Sequence, residues 1–547
     1  MMSTLMSFST QAFTPKTLWD IWPEARFETT AAPCLRHARL MESLQRLESR
    51  HEGELRVKEI GQSVLGRPIQ LVTLGKGDEK ILLWSQMHGD EPSATPALLD
   101  IANYLLEHAD DPVARSILDK YTLLMIPMLN PDGAEVYERF NAQGIDINRD
   151  ALRLVTPEGR LLKRIRDEYE PMLGFNLHDQ NRRHAVGDTG QVAVNALLSV
   201  SGDPANTLTP GRKRTKRACV AIVEALEPFF PGGMARYDEG WSPRAFGDNI
   251  TAWGTPVVLI ESGGVPPDHD LTDLTRNNFV AILMVLKGLA EDDLNSYDPQ
   301  VYERLDRNQS ESWSDVMVTG GSVLQPGTPT AYRADLAFNI FRSDQQIAGC
   351  ADVTRNPSEI YLLGDSKFHG SGTRIDASGN VLLPSFDVGI HGWERGQWLD
   401  TKNLARLARL GVGMIYWAVN KVQQQAALDV ASGHDHNGLP RIKVLVNPAG
   451  LPPIVLTGPP EPAAASSWHA TLQALGVKRP TEADSMSQLW METAEHKAGS
   501  ARLRKSQAAS FLIVKPAPGG QINDSRAEIV SIWLDGQQVT PGEMVDQ

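Results

Sequence analysis

The stretch Ile81-Leu82-Leu83-Trp84-Ser85-Gln86-Met87-His88-Gly89-Asp90-Glu91-Pro92 decides the fold. An apolar, strand-like run ends abruptly in a His and a Glu three residues apart, and a proline suited to start a helix follows. Three further apolar runs also end in polar residues: Tyr121–Leu129 runs into Asn130-Pro131-Asp132-Gly133, Phe175–Leu177 into His178, and Val257–Ile260 into Glu261. In an open α/β sheet, ligands bind in the crevice outside the carboxyl ends of the strands, so these four ends could converge on one site.

The residue types suit a metal. His88, Glu91 and His178 form a set of two histidines and one carboxylate that leaves a fourth tetrahedral position for water, as a hydrolytic zinc needs and a closed structural site does not. The first two ligands share one turn, so the third must come from a separate strand. Glu261 supplies a carboxylate that can take a proton from the zinc water and return it to a leaving amine.

These motifs resemble those of the zinc carboxypeptidase family, the carboxypeptidase A-like metallopeptidases, over roughly residues 35–290. The resemblance implies one zinc per chain on His88, Glu91 and His178, and a strand-end general base at Glu261 in Leu259-Ile260-Glu261-Ser262-Gly263-Gly264. Gly144-Ile145-Asp146-Ile147-Asn148-Arg149 looks like the family's substrate clamp, in which Asn148 and Arg149 hold the terminal carboxylate of a peptide. An Arg fork suits a carboxylate because it donates two parallel hydrogen bonds. By the same resemblance Asp146 is the carboxylate that orients His88, Arg139 is the oxyanion-stabilising Arg, and Tyr237 is the Tyr that caps the substrate.

Two departures from the family pattern bear on specificity. Digestive members carry an Arg between the ligand His and Glu, whereas this chain has Asp90. His-Gly-Asp-Glu looks more like the bacterial branch that includes murein peptide amidases. Tyr237 lies 24 residues before Glu261, slightly more than the family's spacing. Counting from Tyr237 puts Arg244 at the floor of the side-chain pocket, which implies an acidic preference. Counting back from Glu261 puts Phe246 there, which implies an apolar one.

Other features have plainer readings. Asn130-Pro131-Asp132-Gly133 has the composition of a tight turn and reads as one that shapes the site wall. A carboxylate closing the Val-Val-Leu-Ile run is costly unless it faces a metal or cleft, which argues against Glu261 as a mere buried ion-pair partner. His434-Asp435-His436 sits in a loop-like Ser-Gly-His-Asp-His-Asn-Gly stretch without a distant third ligand, and reads as a surface turn.

At 547 residues the chain exceeds one typical domain. Its 41% hydrophobic and 22% charged content is that of a globular protein able to bury large cores. A net charge of −14 argues against nucleic-acid or anionic-membrane surfaces as partners and favours solubility rather than any particular substrate; a peptide or small amide substrate is what the family resemblance implies. The three cysteines, Cys34, Cys219 and Cys350, are far apart and odd in number, so no disulfide framework is implied. Met1 to Trp19 lacks a cationic start followed by an apolar core, and no run approaches membrane-spanning length, which makes a cytoplasmic location the default expectation.

Residues 1–34 read as an irregular lead-in and Leu35–His51 as a helix. Alternating strands and helices then run to about residue 290, giving an α/β domain at 35–295: a mixed, largely parallel sheet covered by helices. Within it, Ser199–Lys216 reads as an exposed loop, with Arg212-Lys213-Arg214 a solvated basic cluster. A boundary is expected near Asp292–Ser312.

Residues 312–547 read as a β-rich accessory domain. Asp315–Gly321, Ala334–Ala337 and Ile375–Pro384 resemble the opening β-sandwich of amidohydrolase-superfamily enzymes, and Ala527–Gly536 resembles its closing strand. The His-x-His metal motif that should follow the opening is incomplete, since His391 is paired with Gly389. The stretch between the strand groups is also shorter than the ~250 residues of a full eight-fold barrel. The expectation is therefore a non-catalytic module without its own metal.

Together the residues point to a zinc metallocarboxypeptidase that cleaves an amide bond beside a free carboxylate. A deacylase or murein-peptide amidase acting on a small N-acyl or γ-linked substrate is the alternative within hydrolases. An inactive peptidase-like binding module is the alternative outside them. Substrate identity and oligomeric state are not readable from the sequence.

Overall fold

A computed structural model describes residues 13–310 and 312–320, followed by short segments, chiefly strands, between 322 and 539. The chain divides into two units, Met1–Trp313 with Ser343–Asp352, and Ser314–Arg342 with Val353–Gln547.

Among the described residues the first unit has ten strands: β1 Leu55–Gln62, β2 Pro68–Leu74, β3 Glu79–Ser85, β4 Tyr121–Ile126, β5 Leu173–Asp179, β6 Ala185–Val186, β7 Asn195–Ser199, β8 Met234–Arg236, β9 Val257–Ser262 and β10 Asn308–Gln309. Eight of them form one sheet in the order β1-β2-β4-β3-β5-β9-β7-β8. The centre, from β4 through β3 and β5 to β9, is parallel. The antiparallel contacts lie at β1–β2, β2–β4 and β9–β7, so the sheet is mixed, with its parallel part carrying the strand ends that matter. β3, β5 and β9 are almost wholly buried apolar runs, as strands covered on both faces must be.

The α-helices among the described residues are α1 Pro15–Ala25, α2 His37–Arg50, α3 Ala94–Glu107, α4 Pro112–Lys120, α5 Pro131–Val136, α6 Pro157–Tyr169, α7 Pro210–Leu226, α8 Phe246–Ala252, α9 Thr272–Ala290 and α10 Pro299–Arg304. Strand alternation sorts them. Leu83, Phe175, Leu177 and Ile260 pack in one core with α1–α4, α7 and α9. Leu82, Trp84 and Leu259 pack on the other face with Leu161, Leu162 and Ile165 of α6 and with Phe246 and Ile250 of α8.

Four expectations are corrected. The lead-in to residue 34 is not irregular throughout, because Thr14 caps α1 by accepting from the Thr17 N–H at 3.2 Å and Pro15 sets its first turn. The buried stripe Leu18, Trp19, Trp22 and Ala25 then seats α1 on the core, where Trp19 stacks on Phe229 at 4.2 Å between ring centroids. Asn130-Pro131-Asp132-Gly133 is not a free turn but the N-cap and first turn of α5. The Ser199–Lys216 stretch ends inside α7, and Arg212 is buried: its guanidinium pairs with Glu239 at 2.9 Å and donates to the Ser199 and Asn206 carbonyls. Finally, Cys34 and Cys350 form a disulfide across a separation of 316 residues, while Cys219 is buried and free.

In the second unit the described residues form a four-stranded, a six-stranded and a two-stranded sheet, with Trp313–Thr319 and Asp335–Ile340 paired in the first, Val381–Pro384, Phe511–Lys515 and Glu528–Leu534 adjacent in the second, and Val444–Val446 paired with Ile454–Leu456 in the third. Gly389, His391, His434 and His436 lie outside the described residues. Among the described residues no helix is long and apolar enough to cross a membrane.

The lead-in is anchored by one buried acid. Asp100 on α3 accepts from Trp22 Nε1 at 3.0 Å and from the Phe27 and Glu28 amides at 2.8 and 3.3 Å. Burial outweighs these donors and pushes its pKa up to about 7. An acid whose folded pKa is raised stabilises the fold most fully below its unfolded value near 4, and that contribution is lost as pH rises through the folded value. Thermal melts of the wild type and Asp100→Asn between pH 4.5 and 8 are expected to show the wild type losing stability relative to the variant as pH rises; a pH-independent difference would contradict the assignment.

Candidate metal centre and active site

The turn after β3 is fixed before any ligand is considered. Gln86 takes a left-handed backbone, with φ at 50°, and reverses the chain. Its side-chain amide donates to the Gly89 carbonyl at 2.9 Å, and Thr95 Oγ1 donates to its oxygen. Gly89 is required here. A Cβ at that position would come within 2.0 Å of the Gly133 carbonyl carbon, so the His88–Glu91 loop lies directly against the first turn of α5. The Asn130–Gly133 segment therefore shapes the wall of the site, as its sequence suggests.

His88, Glu91 and His178 come together with one ligand atom each, all within 4.8 Å of one another, and all three are buried. Glu91 sits between the rings: its Oε1 is 2.7 Å from His88 Nδ1 and its Oε2 is 2.6 Å from His178 Nδ1. Burial would raise the Glu91 carboxyl, but the two histidines hold it far below the usual carboxylate range. The other His88 nitrogen, Nε2, is 3.1 Å from Asp146 Oδ1. Both His88 nitrogens thus face carboxylates. A cation between the Nδ1 atoms and Glu91 would replace the protons that these contacts share, while Asp146 would keep the Nε2 proton in place. Two imidazoles and one carboxylate are the donor set that zinc takes in open, hydrolytic sites.

Arg139 is more tightly engaged than its expected role requires. It donates to Asp146 Oδ2 through Nε at 3.1 Å and Nη2 at 3.0 Å, and its Nη1 is 3.1 Å from both Glu91 Oε1 and His88 Nδ1. Asp146 therefore serves His88 and Arg139 together, and despite burial its carboxyl is held well below the normal range by these partners.

Glu261 is paired with His178 in the register of β9 and β5, so the two side chains leave the same face of the sheet at the same height. It is buried, and burial, with the charges of Glu91 and Asp179 behind it, raises its pKa well above that of an ordinary glutamate. Tyr237 is half-buried near it: the charge of Glu261, followed by burial, pushes the phenol up to about 12. Asn148 is buried, with Nδ2 at 3.5 Å from His178 Nε2 and Oδ1 accepting from the Phe246 N–H at 2.8 Å, which ties the start of α8 to the site. Arg149 is exposed. One of its donors reaches the Asn148 carbonyl at 2.8 Å, and its other donors have no protein acceptor among the described residues.

The two candidate pocket-floor residues separate. Arg244 is exposed and contributes its carbonyl to the Ala151 N–H, whereas Phe246 is wholly buried in the core. Two further carboxylates lie beside the ligand set, Asp90, which the motif itself shows, and Asp179, which it does not. Asp90 is partly buried, and its Oδ1 has no hydrogen-bond partner. Asp179, directly after His178, accepts from the N–H and Oγ of Ser93, two residues after Glu91. The second link joins segments 86 residues apart, so only the register of β5 could have pointed to it.

The zinc carboxypeptidase family profile matches residues 40–169 of this chain. Carboxypeptidase SOL1 of Arabidopsis thaliana is 33% identical over 102 residues, which is 17% of this chain and 21% of that protein. A gamma-D-glutamyl-L-diamino acid endopeptidase 1 of Lysinibacillus sphaericus is 32% identical over 83 residues, 14% of this chain and 21% of the relative. The chain thus spans about a fifth of the length of these curated relatives. Among solved structures, a metallo-carboxypeptidase from Burkholderia cenocepacia aligns at a TM-score of 0.38 and 19% identity, covering 47% of this chain and 68% of that one. The matched segment contains His88, Glu91, Arg139, Asp146, Asn148 and Arg149, and ends before His178, Tyr237 and Glu261. Those last three join the site through the geometry of β5, β8 and β9.

Asp146→Ala removes the acceptor that orients His88 and is expected to weaken zinc binding by about 10–100-fold, measured by competition with a chelator. Unchanged affinity would show that His88 needs no such partner.

Proposed function

We propose, from the zinc carboxypeptidase domain at residues 40–169 and the side chains gathered around it, that this protein is a zinc-dependent metallocarboxypeptidase hydrolysing the amide bond next to a free terminal carboxylate. The observation that carries the reading is Glu91 held between two imidazole Nδ1 atoms, with Glu261 in register beside one of them.

His88, Glu91 and His178 would hold the ion, and zinc bound there would supply Lewis-acid polarisation of the scissile carbonyl and of an attacking water. Glu261 acts as the general base and then as the acid toward the leaving amine. Its place in register with His178 supports this, since a carboxyl beside the ligand set can take a proton and return it, and burial raises that carboxyl above the ordinary glutamate range. Arg149 and Asn148 bind the terminal carboxylate; the support is the exposed, largely unpartnered guanidinium next to a buried amide beside His178. Arg139 supplies positive charge to the tetrahedral oxyanion, supported by an Nη1 that already faces the ligand atoms. Tyr237 covers the bound substrate, supported by its half-buried place near enough to Glu261 for that charge to raise the phenol's pKa.

The compartment follows from a different feature. The Cys34–Cys350 disulfide argues for an oxidising environment over the cytoplasm expected from composition, since thiols are kept reduced in the cytosol. Mass spectrometry of the full chain isolated under alkylating, non-reducing conditions is expected to find the Cys34–Cys350 peptide pair joined; alkylated Cys34 and Cys350 would restore the cytoplasmic reading.

Two variants test the assigned roles. Glu261→Gln should retain zinc and substrate while turnover falls by about 10²–10⁴-fold, the usual worth of a general base. Arg149→Ala should weaken use of free-acid substrates and leave slow hydrolysis of amidated analogues unchanged. Equal hydrolysis of free-acid and amidated peptides by the wild type would remove the carboxypeptidase reading.

A further inference from the structure

The functional side chains occupy one face of the sheet, and the residues that follow them point to the other. Ser262 follows Glu261, Asp179 follows His178, and the two are paired across β9 and β5. On this opposite face they meet Ser93, two residues beyond Glu91. The Ser93 amide donates to Asp179 Oδ2 at 2.9 Å, and its hydroxyl donates to Asp179 Oδ1. The Asp179 amide in turn points at Glu91 Oε2 at 3.4 Å.

All of this is gathered by one side chain of α9. Asn278 is buried, and the two hydrogens of its Nδ2 are shared among Ser262 Oγ at 2.9 Å, the Leu274 carbonyl at 3.0 Å and Ser93 Oγ at 3.2 Å. One turn earlier, Thr275 Oγ1 donates to the Ser93 carbonyl at 3.0 Å. The Ser93 hydroxyl spends its proton on Asp179 and offers its lone pairs to Asn278, so its direction is defined. The His88–Glu91 loop, through Ser93, and β9, through Ser262, are thus tied to a single carboxamide, and β5 joins them through the Asp179–Ser93 contacts.

We infer that Asn278 is a positioning residue for the proposed reaction, acting through Ser93 on the metal-ligand loop and through Ser262 on the general base. The inference rests on the zinc-peptidase reading of the site. Its two branches have different consequences. The Ser93 branch fixes where Glu91 stands relative to His178, which governs the hold on the ion. The Ser262 branch fixes where Glu261 stands relative to both, which governs proton transfer. Outer partners that orient ligands in this way commonly matter by about 10–100-fold in affinity or activity.

The test compares zinc affinity, by chelator competition, with steady-state kinetics on a blocked free-acid dipeptide, for the wild type, Ser93→Ala, Ser262→Ala and Asn278→Leu. Ser93→Ala is expected to weaken zinc about tenfold, with the smaller effect on kcat at saturating zinc. Ser262→Ala is expected to lower kcat about tenfold while zinc affinity and KM stay near wild-type values. Asn278→Leu, which keeps the size and removes the donors, should show both effects. A folded Asn278→Leu with wild-type zinc affinity and kcat overturns the inference, as do serine variants that change only the melting temperature. Should Asn278→Leu fail to fold, the two serine variants, each missing one hydroxyl, decide the matter. A wild type that binds zinc but cleaves no free-acid peptide defeats the carboxypeptidase reading, and the zinc response of Ser93→Ala then decides the positioning claim alone.

Discussion

The Glu91 carboxylate, clasped between His88 Nδ1 and His178 Nδ1, is the contact on which the rest depends. A buried carboxylate is tolerated only when its charge is matched, and here the matching charge must sit between two imidazoles. Everything around it serves that requirement. Gly89 lets the loop press onto α5, Asp146 fixes the second nitrogen of His88, and Arg139 bridges Asp146 to Glu91. One atom from each of His88, Glu91 and His178 lies within 4.8 Å of the others, so a divalent ion could take the place of the protons that hold these pairs together.

The sheet explains why residues 173 positions apart, His88 and Glu261, share a site. Parallel neighbours β3, β5 and β9 end at the same edge, and their buried apolar faces fix the register. Once Leu177 and Ile260 are committed to one core, His178 and Glu261 must face the other side, and Asp179 and Ser262 must face α9. The active face and the supporting face are two consequences of one alternation.

Much of this was legible in the sequence, for local reasons. The run from Ile81 to Glu91 carries both its strand and its ligands within one window, and the Asp146–Arg149 motif is equally compact. His178 and Glu261 were legible because each closes a short apolar run. What escaped reading depends on distant partners. Arg212 looks like part of a solvated basic cluster, yet its long stem lets the guanidinium reach Glu239 and two carbonyls while buried. The α1 helix follows a stretch without clear periodicity, and is held by Asp100 some eighty residues on. Cys34 and Cys350 carry no spacing signal at all. Asn278 reads as an ordinary helix residue, because its importance lies wholly in which loops arrive beneath it.

The most direct measurement is the metal content of the purified full-length chain, wild type beside His178→Ala, by elemental analysis after dialysis against a weak chelator. The account predicts about one zinc per wild-type chain and none in the variant, because a three-ligand site that loses an imidazole cannot retain the ion. Stoichiometric zinc in His178→Ala, or two tightly held ions in the wild type, would contradict it.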